Sequence, residues 1–178
     1  LLRTCNLTQQ HMEEDQILPL FTSPVISCPE HLDPSLKLRS LELQDYDKGY
    51  CTVLEQLTTV GPVTRTEFVK QFKVIQEEGA SFIIVIEDCE KSRIIATGTL
   101  VVEQKFIHRC GCVGHIEDIV VDKSSRARGL GLIIIDELVK IGDILGCYKI
   151  VLDCSDRNIP FYERCGFQSK ETQMTKYL

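Results

Sequence analysis

Three groups of residues in this sequence have the types and spacing to do chemistry. The first is His115-Ile116-Glu117-Asp118-Ile119-Val120-Val121, an apolar run that carries two adjacent acids. Five residues on comes Arg126-Ala127-Arg128-Gly129-Leu130-Gly131, a basic turn broken by glycines. Glycines let backbone N–H groups converge on an anion, a helix N-terminus adds partial positive charge, and two arginines add full charges. The turn reads as a seat for a pyrophosphate. A Walker loop needs Gly-Lys followed by Ser or Thr, whereas Gly131 is followed by Leu132; a dinucleotide fingerprint needs three glycines where this turn has two.

The second group is Asp153 and Tyr162. Asp153 ends an apolar run, where an acid either faces a cleft or caps the next segment. Tyr162 has the default role of a core aromatic. Its phenol also suits hydrogen bonding to a departing thiolate, since a thiol has a pKa of about 8.5 and a phenol roughly 10. The third group is basic: Lys105, His108 and Lys149. Singly each is a solvated charge, but clustered in an acidic chain they could meet a phosphate monoester of charge about −1.5 to −2.

The elements that would position these groups follow from periodicity. Leu36–Leu41 alternates as a first strand. Asp45 stands at a helix start, with apolar residues at helical spacing from Tyr46 to Leu57. Thr64 and Glu67 form a capping box for a helix that Gly79 ends. Strands follow at 82–86 and 94–103, joined by a polar hairpin turn, and then at 114–121. In that last strand the period-two rule fails. One acid falls on each face, so either an edge is exposed or a bulge turns one side chain aside and frees a backbone N–H. After Gly129 an amphipathic helix puts Leu130, Ile134, Leu138, Ile141 and Leu145 on one face. Asp136, Glu137, Lys140 and Asp143 lie opposite, with Asp136 and Lys140 an i,i+4 pair. A strand at 149–153, a short helix at 158–164 and a final strand after Phe167 complete the chain. Residues 1–34, with four of the six prolines, predict a partly disordered extension ahead of a domain at 35–178.

The chain has 178 residues and a net charge of −6, which suits one soluble domain and argues against general nucleic-acid binding. No apolar run is long enough to span a bilayer and no leader pattern is present, so a cytoplasmic setting is expected, with peripheral contact to endomembranes left open. Nine cysteines without zinc spacing predict reduced thiols packed as small hydrophobes, and no metal.

The pattern Arg-x-x-Gly-x-Gly after an apolar strand resembles the acetyl-coenzyme A loop of the GNAT acetyltransferases. Leu57-Thr-Thr-Val-Gly61, Lys105-Phe-Ile-His108, Gly114–Ile119, Gly146-Cys-Tyr-Lys-Ile150, Leu152-Asp-Cys154 and Asn158–Phe167 extend the resemblance. Together they are similar to the branch of that family acting on D-glucosamine 6-phosphate, across roughly residues 36–178. The resemblance implies an α/β (α+β) GNAT fold with a mixed, mostly antiparallel twisted sheet flanked by helices. It implies that Ile119, Val120 and Val121 pair with the pantetheine arm of acetyl-CoA, that Arg126, Ala127, Arg128, Gly129, Leu130, Gly131 and Leu132 wrap its pyrophosphate, and that Asn158 contacts it. Thr58, Lys105, Phe106, Ile107 and His108 would meet the sugar phosphate, with Tyr148 and Lys149 from a homodimer partner. Glu117 and Asp118 would hold the sugar, Asp153 would orient or deprotonate its 2-amine, and Tyr162 would stabilise the thiolate. The amine would attack directly in a ternary complex, as a step of UDP-GlcNAc biosynthesis, and the dimer would exchange its C-terminal strand.

Two departures stand out. Ala127 replaces a glycine common in such loops, a mild change if its φ is negative. An arginine expected near the C-terminus is missing, and Lys176, beside Tyr177, is its candidate substitute as a point charge. The rival functions are acetylation of another amine and non-catalytic sensing of acyl-CoA.

Overall fold

The computed structural model describes residues 19–22, 26, 29 and 32–178. Most of the expected N-terminal extension lies outside them. Its described parts are packed: Leu20 and Leu32 are buried, the Leu20 N–H donates to the Leu41 carbonyl at 2.7 Å, and Phe21 meets Phe82 edge-on at 5.1 Å.

Five strands form one sheet in sequence order: β1 (Leu36–Ser40), β2 (Ser81–Asp88), β3 (Arg93–Gln104), β4 (Cys112–Val121) and β5 (Cys147–Leu152). The first four are antiparallel, and β5 runs parallel to β4. A parallel neighbour needs a crossover, and the helix α3 (Leu130–Ile144) provides it. The short α1 (Tyr50–Leu54) and the longer α2 (Arg65–Glu78) cover the other face. Alternate β2 residues serve the two layers. Ile84 and Ile86 pack toward Ile134 and Leu138 of α3, while Ile83 and Val85 pack toward Phe68 and Phe72 of α2. Thr64 caps α2 as expected, with the Glu67 carboxylate returning to the Thr64 N–H at 2.8 Å, and Gly79 ends it at φ +63°.

Four expectations change. The helix expected over 46–57 is divided: a 3₁₀ turn spans Leu43–Tyr46, and Gly49 at φ +78° breaks the chain before α1. Asp45 is fully buried instead of starting a helix. It takes both terminal nitrogens of Arg39 at 2.7 Å, and Arg39 also bonds Glu87, at 2.6 Å, so a charge cluster ties β1, β2 and the turn together. On α3, Glu137 is buried beside the apolar face, and Lys140 pairs with it at 3.3 Å instead of with Asp136. Residues 167–178 form no strand: in the single chain no strand pairs with them, and Met174 and Tyr177 stay almost fully exposed. Among the described residues no helix is long and apolar enough to cross a membrane.

Candidate active site

The site grows from an irregularity in β4. Thr97 faces Val120 and Thr99 faces Glu117, so Asp118 and Ile119 together oppose the single residue Gly98. This is a β-bulge, with Asp118 at φ +54°, a conformation that Asp tolerates better than most residues. The bulge resolves the broken alternation. Ile116 lies on the α3 face, and after the extra residue Ile119 and Val121 return to that face while Val120 crosses to the α2 side. Gly98 is required opposite: a Cβ there would press on Ile119 Cδ1 and lie 2.6 Å from Ile134 Cγ2.

At the same point the sheet opens. β5 pairs with β4 only as far as Ile116 and Leu152, whereas β4 runs on to Val121. The edge of Glu117–Val121 that faced β5 is therefore free to pair with an extended ligand. Asp153 lies one residue beyond the end of β5, beside this opening. Glu117 and Asp118 are both exposed at its rim.

The electrostatics follow from that placement. Partial burial pushes the Glu117 carboxyl above the usual range, and the charges of Asp118 and Asp153 push it further. Burial also raises the Tyr162 phenol, which keeps its proton well above neutral pH. Tyr162 lies on α4 (Ile159–Arg164), packed between Phe161 and Phe167. Burial and the neighbouring Asp156 and Asp153 raise the Cys154 thiol, so it is little ionised near neutrality. Asp153 Oδ2 accepts from Gln173 Nε2 at 2.7 Å, a partner that sequence spacing did not suggest.

The glycine turn closes the other end of the opening. Asp122 starts it, accepting from the Ser124 N–H at 2.9 Å and from the Ser124 hydroxyl. Arg126 Nε donates to the Val121 carbonyl at 3.2 Å. Arg126, Ala127, Arg128 and Gly129 are exposed, and Leu130 is buried as the first residue of α3. Arg128 pairs with Asp33 at 3.0 Å. Gly131 lets Phe161 approach, since a Cβ would sit 3.3 Å from the ring and 3.7 Å from Val121, which joins β4, α3 and α4 at the floor. Leu132 and Asn158 are exposed nearby on α3 and before α4. The condition for a mild change at Ala127 is not met: its φ is +63°. A basic turn at a helix N-terminus beside a free strand edge suits a ligand with a diphosphate at one end and an extended amide chain at the other.

The basic residues are less gathered. Lys105 is half-buried and pairs with Glu103, which also bonds His115 Nε2 at 3.0 Å. His115 and Glu117 are two apart on one strand, so this charged row leads from Lys105 toward the carboxylates. The link between Glu103 and His115 was missed from sequence because only the β3–β4 register brings the two together. The 105–111 loop makes a left-handed turn, with His108, Arg109 and Cys110 all at positive φ. His108 stacks on Tyr148 at 4.0 Å, while Phe106 is 95% exposed and Ile107 61%. Thr58, Lys149 and Lys176 are exposed. Among the described residues no cluster of His, Cys, Asp and Glu could hold a metal ion.

Comparison with known proteins agrees with this geometry. The Acetyltransferase (GNAT) family matches residues 40–167. Glucosamine 6-phosphate N-acetyltransferase 1 of Dictyostelium discoideum is 47% identical over 148 residues, covering 83% of this chain and 94% of that protein. The crystal structure of glucosamine-6-phosphate N-acetyltransferase from Arabidopsis thaliana superposes with a TM-score of 0.79 at 44% identity, covering 80% of this chain and 97% of that one. At 19% identity, a predicted acetyltransferase with acetyl-CoA from Clostridium acetobutylicum shares the fold, with a TM-score of 0.61. With the splayed sheet, the bulge and the glycine turn in place, this chain belongs to the GNAT acetyltransferase family.

Proposed function

We infer that this enzyme transfers acetyl from acetyl-CoA to the 2-amine of D-glucosamine 6-phosphate, giving N-acetylglucosamine 6-phosphate and coenzyme A. The observation that carries the reading is the pair Glu117 and Asp153 at the mouth of an opening whose free strand edge leads to the glycine turn. The names of the relatives supply the sugar.

Acetyl-CoA supplies an activated thioester. The Arg126–Leu132 turn would hold its pyrophosphate, and Ile119–Val121 would pair with its amide arm, with Asn158 beside it. The bulge gives the site a backbone N–H outside the ladder, suited to polarising the thioester carbonyl as an oxyanion hole does. The amine must be neutral to attack, so Asp153 or Glu117 takes a proton from the ammonium form. A raised Glu117 carboxyl is a better base than an ordinary one. The amine nitrogen then bonds to the carbonyl carbon and the carbon–sulfur bond breaks. The electron pair goes to sulfur, where the Tyr162 phenol donates a hydrogen bond, and the proton that the nitrogen sheds on becoming an amide passes to the thiolate, giving the coenzyme A thiol.

Asp118 would bind sugar hydroxyls with Glu117. Thr58 and the Lys105–His108 loop, with Tyr148 stacked on His108 in the same chain and Lys149 and Lys176 from a second copy, would form the phosphate seat. The exposed Phe106, Ile107, Met174 and Tyr177 support an assembly of two chains, because a lone chain leaves this apolar area in water.

The test is thiol release by purified protein with acetyl-CoA and, in turn, glucosamine 6-phosphate, glucosamine, spermidine and a lysine peptide. Release with the phosphorylated sugar alone is expected. Release only with another amine moves the substrate, and silence with all four alongside tight acetyl-CoA binding makes the protein a sensor.

A further inference from the structure

Gln56 belongs neither to the core nor to any group considered so far. It lies just past α1, half-buried, on the turn that leads into Leu57–Gly61. Its Nε2 donates to Asp122 Oδ2 at 2.7 Å, and its Oε1 accepts from the Lys123 N–H at 2.8 Å. Both bonds reach the start of the glycine turn, 66 and 67 residues away. A side-chain amide supplies the donor and the acceptor at one place.

The two ends of this link are not equally held without it. On the far side, Asp122 keeps its own bonds: its N–H donates to the Ile95 carbonyl at 2.8 Å, and its other carboxylate oxygen caps Ser124, whose hydroxyl accepts from Arg93 at 3.0 Å. On the near side, Leu57 and Thr58 donate back to the Leu54 carbonyl at 2.9 and 3.2 Å. Among the described residues the loop is next tied at Val63, whose carbonyl accepts from the Tyr46 hydroxyl at 3.0 Å.

We propose that Gln56 is a positioning residue, a strut through which the glycine turn fixes the Leu57–Gly61 loop over the acceptor. The proposal rests on the reading above in one respect, that Thr58 meets the acceptor. A ligand that orders the turn also orders the loop through the amide, so cofactor binding prepares the acceptor side. Removing the amide frees the loop and spares the turn.

The experiment compares wild type with Gln56→Ala and Gln56→Glu by steady-state kinetics, coenzyme A binding and backbone hydrogen exchange over residues 55–63. For Gln56→Ala the acceptor KM is expected to rise about tenfold, kcat to fall less than about threefold and the coenzyme A Kd to stay within about twofold, as two lost hydrogen bonds on the acceptor side require. The protection that coenzyme A gives residues 55–63 disappears. In Gln56→Glu two carboxylates face each other, so at about pH 8 the variant matches Gln56→Ala, and near about pH 5.5 a shared proton restores the donor and brings KM back toward wild type at that pH. The proposal is overturned if Gln56→Ala leaves acceptor KM and exchange unchanged, or if KM and Kd rise together with faster exchange along the whole chain. Should Gln56→Ala fail to fold, a Gln56→Glu protein whose acceptor KM, relative to wild type, does not change with pH overturns it as well. Wild type that releases no thiol with glucosamine 6-phosphate, while the coenzyme A-dependent protection is still lost in Gln56→Ala, sinks the substrate reading and leaves the strut standing.

Discussion

Ala127 sits in the left-handed region, at φ +63°, in the middle of the turn that would hold a pyrophosphate. An L-residue with a Cβ pays roughly 1–2 kcal/mol there, and glycine avoids that cost. Ala127→Gly is therefore expected to raise stability by about 0.5–1 kcal/mol in thermal unfolding, less than the full strain because glycine also loosens the unfolded chain. Acetyl-CoA binding should hold or improve. Glu117 gives the opposite balance between stability and function. Its folded carboxyl titrates above the unfolded one because partial burial, Asp118 and Asp153 disfavour the charge. Ionised Glu117 therefore costs stability above its folded pKa, and the cost vanishes below its unfolded value near about pH 4. Glu117→Gln should raise Tm at neutral pH by no more than about 2 °C, since solvent screens so exposed a group, and lose that gain in acid. The same variant should lose activity, and wild-type kcat/KM should fall on an acid limb above the ordinary carboxylate range. Asp153→Ala should lower kcat at least about a hundredfold while leaving acetyl-CoA affinity within a few fold, as expected for a group acting on the acceptor proton. Equal loss of both would make Asp153 structural.

At the scale of elements, the bulge of β4 and the splay from β5 do separate jobs. The splay leaves a strand edge unpaired, and the bulge sets Glu117 and Asp118 beside it. Gly98 sits under both. Gly98→Ala would press a methyl into Ile119 of the bulge and into Ile134 and Leu138 of α3. Urea unfolding should show a loss of about 1–3 kcal/mol, the usual cost of overpacking. Activity should fall beyond what the lost stability explains, because the bulge itself must shift. The glycine turn was legible in sequence because its chemistry is local. The bulge was legible only as a failure of alternation at Glu117 and Asp118, which left an exposed edge as an equal alternative. The register of Thr97 and Thr99 against β4 decides it.

For the whole molecule, the single chain leaves its C-terminal segment unpaired beside an edge strand. Gln173 touches Asp153, while Met174 and Tyr177 are almost bare. An exposed edge next to an unpaired segment that leaves Met174 and Tyr177 in water favours pairing with a second copy. We expect two chains per particle by light scattering. Deletion of residues 168–178 should give monomers that keep acetyl-CoA binding and lose acetylation. A truncated protein that remains a dimer with full activity would rule out strand exchange.

The sequence alone determined the order of the five strands, the α2 capping box, the amphipathic crossover helix and the basic glycine turn. Each depends on residues within a few positions of one another, where periodicity and backbone preference act. Tertiary structure decided the rest. It divided the first helix at Gly49, buried Asp45 against Arg39, drew Glu137 to the core side of α3, and joined Lys105, Glu103 and His115 in one charged row. It also placed Gln56 against the glycine turn. These contacts join residues from different elements, or depend on which face of an element packs inward, and strand register and packing set both.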